Sequence, residues 1–178
     1  MSRKLVALMA IALLAVGGAA AMAATTQDVT VTVTIRSIGV SVSPTTYGFG
    51  YMDLGEELES TSALVITNEG NVAEDIGLRI SDEDSWDEWT SQVGGLAALD
   101  ENEYDLGCAL AATQAVGSGL TTTTQWCDGA LFAGGGNDMT AGGTVNMWFA
   151  LTAPPSVSGD HAYDQHTITV EVSCRVAQ

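Results

Sequence analysis

Four short strands follow one another in residues 40–80, VSVSPTTYGFGYMDLGEELESTSALVITNEGNVAEDIGLRI. Val40 and Val42 alternate with serines until Pro44, whose fixed φ and missing N–H suit the end of a strand. Apolar side chains then recur at every second position, at Leu64 and Ile66 and at Ile76, Leu78 and Ile80. The segment NEGN at residues 68–71 separates these two runs, and Asn and Gly tolerate the positive φ of a turn. The stretch therefore predicts antiparallel hairpins that bury one face of each strand.

Two later segments show the same alternation. In residues 144–155 it places four apolar side chains on the inner face and Trp148 on the outer face; the four are Val145, Met147, Phe149 and Leu151. Residues 167–176 form a final alternating strand with Cys174 on its inner face. Together the patterns predict an all-β fold for residues 38–178, an immunoglobulin-like sandwich with Greek-key or jelly-roll-like connections and roughly seven to nine antiparallel strands.

Several residues of the first stretch match known family patterns. The series Pro44, Phe49-Gly50, Leu54-Gly55, Asn68 and Gly70-Asn71 resembles the bacterial immunoglobulin-like domains of the abnormal-spindle and hydin type. A second series, Met52-Asp53 before Leu54-Gly55-Glu56 and then Asn68-Glu69-Gly70, is similar to the camelysin-type biofilm fibre subunits. The first resemblance implies a β-sandwich but not one function, since such domains serve as adhesive, scaffolding and accessory modules.

Residues 1–23 have the three parts of a Sec signal peptide. Arg3 and Lys4 form a basic start, residues 5–16 are apolar, and Ala21-Met22-Ala23 matches the A-x-A cleavage pattern. The apolar run ends in small residues, short of the ~20 apolar residues of a membrane-spanning helix. We therefore expect cleavage after Ala23 and a secreted or cell-surface protein with no direct membrane span.

The chain is strongly acidic, with 22 Asp and Glu against 5 Lys and Arg and a formal net charge of −17. Such a charge repels nucleic acid and anionic membrane surfaces, so we expect neither as a partner. The sole lysine, Lys4, lies in the predicted signal peptide. Lysine-based isopeptide cross-links are therefore excluded from the mature chain, and any self-association would be non-covalent or through sulfur.

Residues 28–36, DVTVTVTIR, have the most regular alternation of the chain. Threonines occupy one face, and the other face carries Val29, Val31, Val33 and Ile35. At Ser37 the parity changes, so the apolar face of the next residues lies on even numbers. One interpretation is a bulge in a strand that pairs within its own sheet. The other is a separate extended strand in residues 24–37 that adds to a sheet edge of a neighbouring subunit.

Three cysteines remain after the predicted cleavage, Cys108, Cys127 and Cys174. In a compartment that favours disulfides, a Cys108–Cys127 bridge would pin the Gly- and Thr-rich segment 111–138 and contribute ~3 kcal/mol in the chain-entropy model. Cys108–Cys174 is the alternative pairing. The odd cysteine is then either a small buried side chain or an intermolecular bridge.

Two acidic runs, residues 81–90 and 99–106, each contain the pattern D-x-[DN]-x-x-D. Its members are Asp82, Asp84 and Asp87 in the first run and Asp100, Asn102 and Asp105 in the second. Closely spaced oxygen donors suit Ca²⁺, although neither run has the glycine and the final glutamate of an EF-hand loop. Solvated acidic loops are one interpretation, and a calcium site is the other.

Aromatic and imidazole side chains are the remaining candidates. Trp86, within the first acidic run, and Trp148 have the chemistry to stack on a sugar ring, to contact another subunit or to pack against a loop. His161 and His166, in the turn DHAYDQH, carry metal-binding nitrogens without an ordered ligand spacing. No set of nucleophile, base and orienting residue is identified, so we expect no enzyme activity and no cofactor other than calcium.

These observations predict a non-enzymatic extracellular structural subunit that forms a homopolymer by strand addition. Asp28 to Ile35 would be the inserting strand, with its four apolar side chains in the acceptor groove of the next copy. The alternative is a glycan-binding or calcium-dependent adhesive module that uses Trp148, Trp86 and the acidic loops to bind polysaccharide.

Overall fold

The computed structural model describes Thr30 and residues 32–115, 117–127 and 131–178. The chain divides into two units, Met1–Thr34 and Ile35–Gln178. The predicted signal peptide, residues 1–23, lies outside the described residues. All the strands described below belong to the second unit.

Ten strands are present in the described residues, and seven of them have three or more residues. In chain order they are β1 (Val40–Ser43), β2 (Glu57–Glu59), β3 (Leu64–Asn68), β4 (Glu74–Asp82), β5 (Thr90–Ser91), β6 (Glu103–Leu110), β7 (Ser118–Gly119), β8 (Gln125–Trp126), β9 (Thr144–Thr152) and β10 (Thr169–Val176). Two short 3-10 helices, Leu96–Ala98 and Leu131–Gly134, lie in the connections. The predicted all-β fold is confirmed.

The strands form two sheets that pack as a sandwich. The larger sheet has the order β1-β3-β9-β6-β5, with β2 also beside β9 and β7 also beside β6. The smaller sheet has the order β10-β4-β8. Pairing is antiparallel in both sheets apart from the short parallel β5–β6 pair. The immunoglobulin-like topology stays a prediction from the resemblance.

The core lies between the sheets and consists of the side chains that alternation places on the inner faces. Its strand residues are Leu64 and Ile66 from β3, Ile76, Leu78 and Ile80 from β4, Tyr104, Leu106, Cys108 and Leu110 from β6, and Met147, Phe149 and Leu151 from β9. The buried Tyr104 hydroxyl donates to the Glu83 backbone oxygen at 2.9 Å, which satisfies its polar group.

The outer face of β4 is also covered. Asp75 and Gly77 lie on this face and are buried, because Trp126 and Arg175 lie over them. The Arg175 guanidinium is 4.5 Å from the centre of the Trp126 ring, and its Nε donates to Asp75 Oδ2 at 3.3 Å. The smaller sheet therefore buries both faces of its central strand, with a cation–π contact on the outside.

We expect Gly77→Ala to lower the free energy of unfolding by about 1–3 kcal/mol. A Cβ at Gly77 would lie 2.8 Å from the Trp126 ring and 2.9 Å from the Thr124 methyl group, so β8 would have to shift. Urea denaturation measures the change. Gly48→Ala is the matched control, since nothing lies within 4 Å of its Cβ position. Equal losses in the two variants would contradict the close contact.

Candidate functional site

The predicted assembly strand is exposed where the structure describes it. Val33 and Ile35 each expose 79% of their surface, and residues 32–39 belong to no strand. Val29 and Val31 lie outside the described residues. Among the described residues, the alternating segment therefore has no ladder of its own and its apolar side chains face solvent.

One edge of the smaller sheet is open beside β10. This strand pairs with β4 along its whole length, and no other described strand pairs with it. Its inward side chains, Val170, Val172 and Cys174, are only half-buried. The β4 residues opposite them, Ile80, Leu78 and Ile76, have exposures of 1%, 0% and 0%. The core is therefore incompletely covered at this edge.

β1 is the corresponding edge of the larger sheet. Among the described strands it pairs with β3 alone, and Val40 and Val42 are half-buried against the core. β1 and β10 come close to each other, and we group their half-buried inward side chains as one apolar strip. We call this strip the open seam: Val40, Val42, Val170, Val172 and Cys174.

A second cluster forms where the first acidic run packs against the histidine turn. Trp86 stacks on His161 and Trp89 stacks on His166, with ring centres 4.0 and 3.9 Å apart and interplanar angles of 9° and 12°. His166 Nδ1 lies 2.8 Å from Asp84 Oδ1, and His166 Nε2 lies 3.0 Å from the His161 backbone oxygen. Both of these oxygens accept, so both contacts are hydrogen bonds only when His166 carries two N–H groups. We call these five residues the histidine–tryptophan cluster.

Asp84 anchors this cluster from within, and its side chain has no exposed surface. Its Oδ2 accepts the backbone N–H groups of Glu88 and Trp89 at 3.0 and 3.1 Å. Burial acts to raise the pKa of Asp84, but hydrogen bonds from Glu88, His166 and Trp89 outweigh burial and hold the pKa below its ordinary value. The ionised carboxylate therefore fixes the shape of the loop that carries both tryptophans.

The outer end of the cluster is at the surface. Trp86 is 44% exposed, and its Nε1 donates to the Gln165 backbone oxygen at 3.1 Å. His161 Nδ1 lies 2.8 Å from Asp164 Oδ2, and this hydrogen bond raises the pKa of His161. Tyr163 is exposed nearby in the chain. The Trp86 ring is therefore held in one orientation at the surface, stacked on a histidine that is hydrogen-bonded to the Asp164 carboxylate.

The first predicted set of calcium ligands does not converge. Asp82 and Asp87 are exposed, whereas Asp84 is buried and both of its oxygens accept hydrogen bonds within the protein. Its position explains the difference, because a carboxylate that caps a loop from inside the fold has no oxygen directed to a shared surface site.

The second predicted set is used in a similar way. Asp105 Oδ2 accepts the N–H groups of Gly94 and Gly95, and the Asn102 side chain bonds Ser158, while Asp100 is exposed. Across the residues that the structure describes, no group of three or more His, Cys, Asp or Glu side chains is arranged to hold a metal ion. Calcium binding stays a prediction from the sequence.

The structure corrects the predicted Cys108–Cys127 disulfide, because Cys108 carries a free thiol. Cys174 is also a free thiol, so the alternative Cys108–Cys174 bridge is not formed either. Burial, with a smaller effect from the neighbouring Cys127, raises the pKa of Cys108 well above its ordinary value. The protonated thiol is therefore unreactive and packs as a small apolar group.

Trp148 lies on the outer face of β9 and is half-buried. Its Nε1 donates to the Ala111 backbone oxygen at 3.0 Å, so the ring packs against the loop that follows β6. The predicted packing of Trp148 against a loop is therefore present, while a sugar contact and a subunit contact stay predictions. Trp86 is the more accessible of the two candidate aromatic residues.

The sequence did not predict the histidine–tryptophan cluster. Asp84 and His166 are 82 residues apart, and no local spacing links an acidic loop to a distant turn. The available signal was compositional, since each segment places ring side chains directly beside carboxylates.

Comparison with known proteins gave no match among family models, curated proteins or solved structures. Within the described residues, no helix combines the length and the apolar character that crossing a membrane requires.

We expect Asp84→Asn to lower the free energy of unfolding by about 1–3 kcal/mol, because the buried loop loses the carboxylate that accepts its hydrogen bonds. Urea denaturation followed by tryptophan fluorescence measures the loss. Asp87→Asn is the matched control, since Asp87 is exposed and its φ of 58° is one that Asn tolerates.

The contribution of Asp84 to stability also depends on pH. The pKa of Asp84 is lower in the folded chain, so its stabilisation is complete above the ordinary Asp pKa of about 3.9 and is lost as the pH falls through the folded-state value. The melting temperature of the wild type should therefore fall more steeply below about pH 4 than that of Asp84→Asn. Parallel curves would contradict this role of Asp84.

Proposed function

We propose that this protein is a secreted, non-enzymatic structural subunit that forms extracellular filaments by strand addition. Residues 28–35 of one copy add to the free edge of β10 in the next copy and cover its open seam. The observation that carries the proposal is the presence, on one chain, of an alternating segment whose described residues 32–35 are exposed and of an incompletely covered sheet edge. Two copies can satisfy both through main-chain hydrogen bonds and side-chain burial.

The two partners match in length and pattern. Residues 28–35 and β10 are each 8 residues long, and each has apolar side chains at alternate positions on one face. Full burial of a Val or Ile side chain contributes about 1.5–3 kcal/mol relative to leaving it exposed. Val33 and Ile35, as the most exposed of the described aliphatic side chains, have nearly all of this burial still to gain.

The charge distribution favours the same segment as the contact. Residues 29–35 contain only Val, Thr and Ile, whereas the chain as a whole has a formal net charge of −17. Two copies repel each other at long range, and residues 29–35, the uncharged part of the inserting strand, can approach a neighbour with least repulsion. At 0.1 M salt, repulsion between charges is largely screened beyond roughly 10 Å, so we expect added salt to promote assembly.

We expect removal of residues 25–36 to abolish filaments and to leave a folded monomer, because the inserting strand is lost while all ten described strands remain. Negative-stain electron microscopy and size-exclusion chromatography compare this variant with the mature chain from Ala24 onward. Filaments formed by the deletion variant would overturn strand donation.

A matched pair of substitutions distinguishes burial of the strand from general charge repulsion. Val33→Asp places a carboxylate on the apolar face, and Thr34→Asp places the same charge on the opposite face one residue later. Val33→Asp should prevent filaments and Thr34→Asp should retain them. Equal loss in both variants would show that charge, and not burial of the valine face, controls assembly.

A glycan-binding module is the second candidate, and the exposed end of the histidine–tryptophan cluster favours it. The Trp86 ring is held in a fixed orientation by His161 and is open to solvent, which suits stacking on a sugar ring. Trp86→Ala should then abolish retention on a polysaccharide column. Trp148→Ala is the control, because its ring packs against a loop; retention that survives Trp86→Ala would exclude this function for the cluster.

A further inference from the structure

The turn NEGN at residues 68–71 holds the root of the amino-terminal strand, residues 35–39. Asn71 Nδ2 donates to the Ile35 backbone oxygen at 2.8 Å, and the Ser37 N–H donates to Asn71 Oδ1 at 2.8 Å. The Asn71 backbone N–H donates to the Ser37 oxygen at 3.0 Å. One asparagine thus satisfies main-chain groups of two alternate residues, as a neighbouring strand would.

A second set of contacts fixes Gly39. The Glu69 N–H donates to the Gly39 oxygen at 2.8 Å, and the Gly39 N–H donates to Glu74 Oε1 at 2.9 Å. Glu74 is completely buried. Every second residue from Ile35 to Gly39 is therefore bonded to the turn or to Glu74.

The turn is itself anchored to the core. Asn68 is buried, and its Nδ2 donates to the backbone oxygens of Val72 and Met139 at 2.9 and 2.8 Å. Its Oδ1 accepts the Gly70 N–H at 2.8 Å. A Cβ at Gly70 would lie 2.6 Å from the Ser37 oxygen, so glycine is required for this close approach.

We propose that Asn68–Asn71 and Glu74 form a socket that fixes the main chain of residues 35–39, the root of the amino-terminal strand, with Asn71 as the positioning residue. This inference rests on the proposed function, in which the strand is the link between neighbouring subunits. Asn71 is exposed, so its three hydrogen bonds add little to the core. These hydrogen bonds act instead on the connection between subunits. Because they fix the main chain where the inserting strand begins, each subunit takes the same orientation relative to the next.

Amide hydrogen exchange on the soluble mature chain tests the socket directly. Asn71→Ala should speed exchange of the Ser37 amide at least about tenfold, since that N–H loses its acceptor. Asn71→Asp keeps the acceptor and loses the donor to Ile35, so it should retain the Ser37 protection. Asn137→Ala is the matched control, because the Asn137 side chain is exposed and its hydrogen bond to the described residues goes to its neighbour Asp138. Unchanged Ser37 exchange in Asn71→Ala would overturn the socket.

Electron microscopy then tests the role of the socket in assembly. Asn71→Ala should still polymerise, because the inserting strand and the open seam are intact, but its filaments should be markedly more flexible, with a shorter persistence length than those of the wild type and of Asn137→Ala. Asn71→Ala filaments as straight as the wild type would overturn the positioning role. Absence of filaments from the wild type would instead contradict the proposed function, and the exchange measurement would still decide whether the socket holds the strand root.

Discussion

The packing of β4 against the larger sheet is the contact on which the rest of the structure depends. Ile76, Leu78 and Ile80 fill the space between the sheets, while Trp126 and Arg175 cover the other face of the same strand. β4 is the strand of the smaller sheet with a described neighbour on each side, β8 and β10. Among the described strands, β10 pairs with β4 alone. The inward side chains of β4 are therefore fully buried, whereas those of β10 are only half-buried. The open seam is a direct result of this asymmetry.

The arginines of the smaller sheet act on the same pair of strands. Arg79 on β4 pairs with Glu171 on β10, and Arg175 on β10 pairs with Asp75 on β4. Solvent-exposed ion pairs contribute little to stability. Both pairs join β4 to β10, the edge strand of the smaller sheet.

Alternation predicted the faces of the strands because a period of two depends only on local geometry. The inner faces of β4 and β9 followed from Ile76, Met147 and their neighbours at every second position. Alternation did not predict which strand lies at an edge of a sheet, because the order of the strands depends on which segments meet in space. The same limit applied to Asp84 and His166, whose contact joins distant segments, and to Cys108, which has a free thiol where a disulfide was expected. The change of parity at Ser37 was visible in the sequence, and the structure shows that the main chain there is bonded to Asn71.

The location of the amino-terminal strand and of β10 on different parts of one chain has a consequence for the proposed filament. A contact between two unlike surfaces is heterologous, and its repetition gives an open filament when the rotation between copies does not close a ring. Every filament would then be polar, with an empty acceptor edge at one terminus and an unpaired strand at the other. The two termini would present different chemistry to solvent, and a molecule that caps one of them would have no affinity for the other.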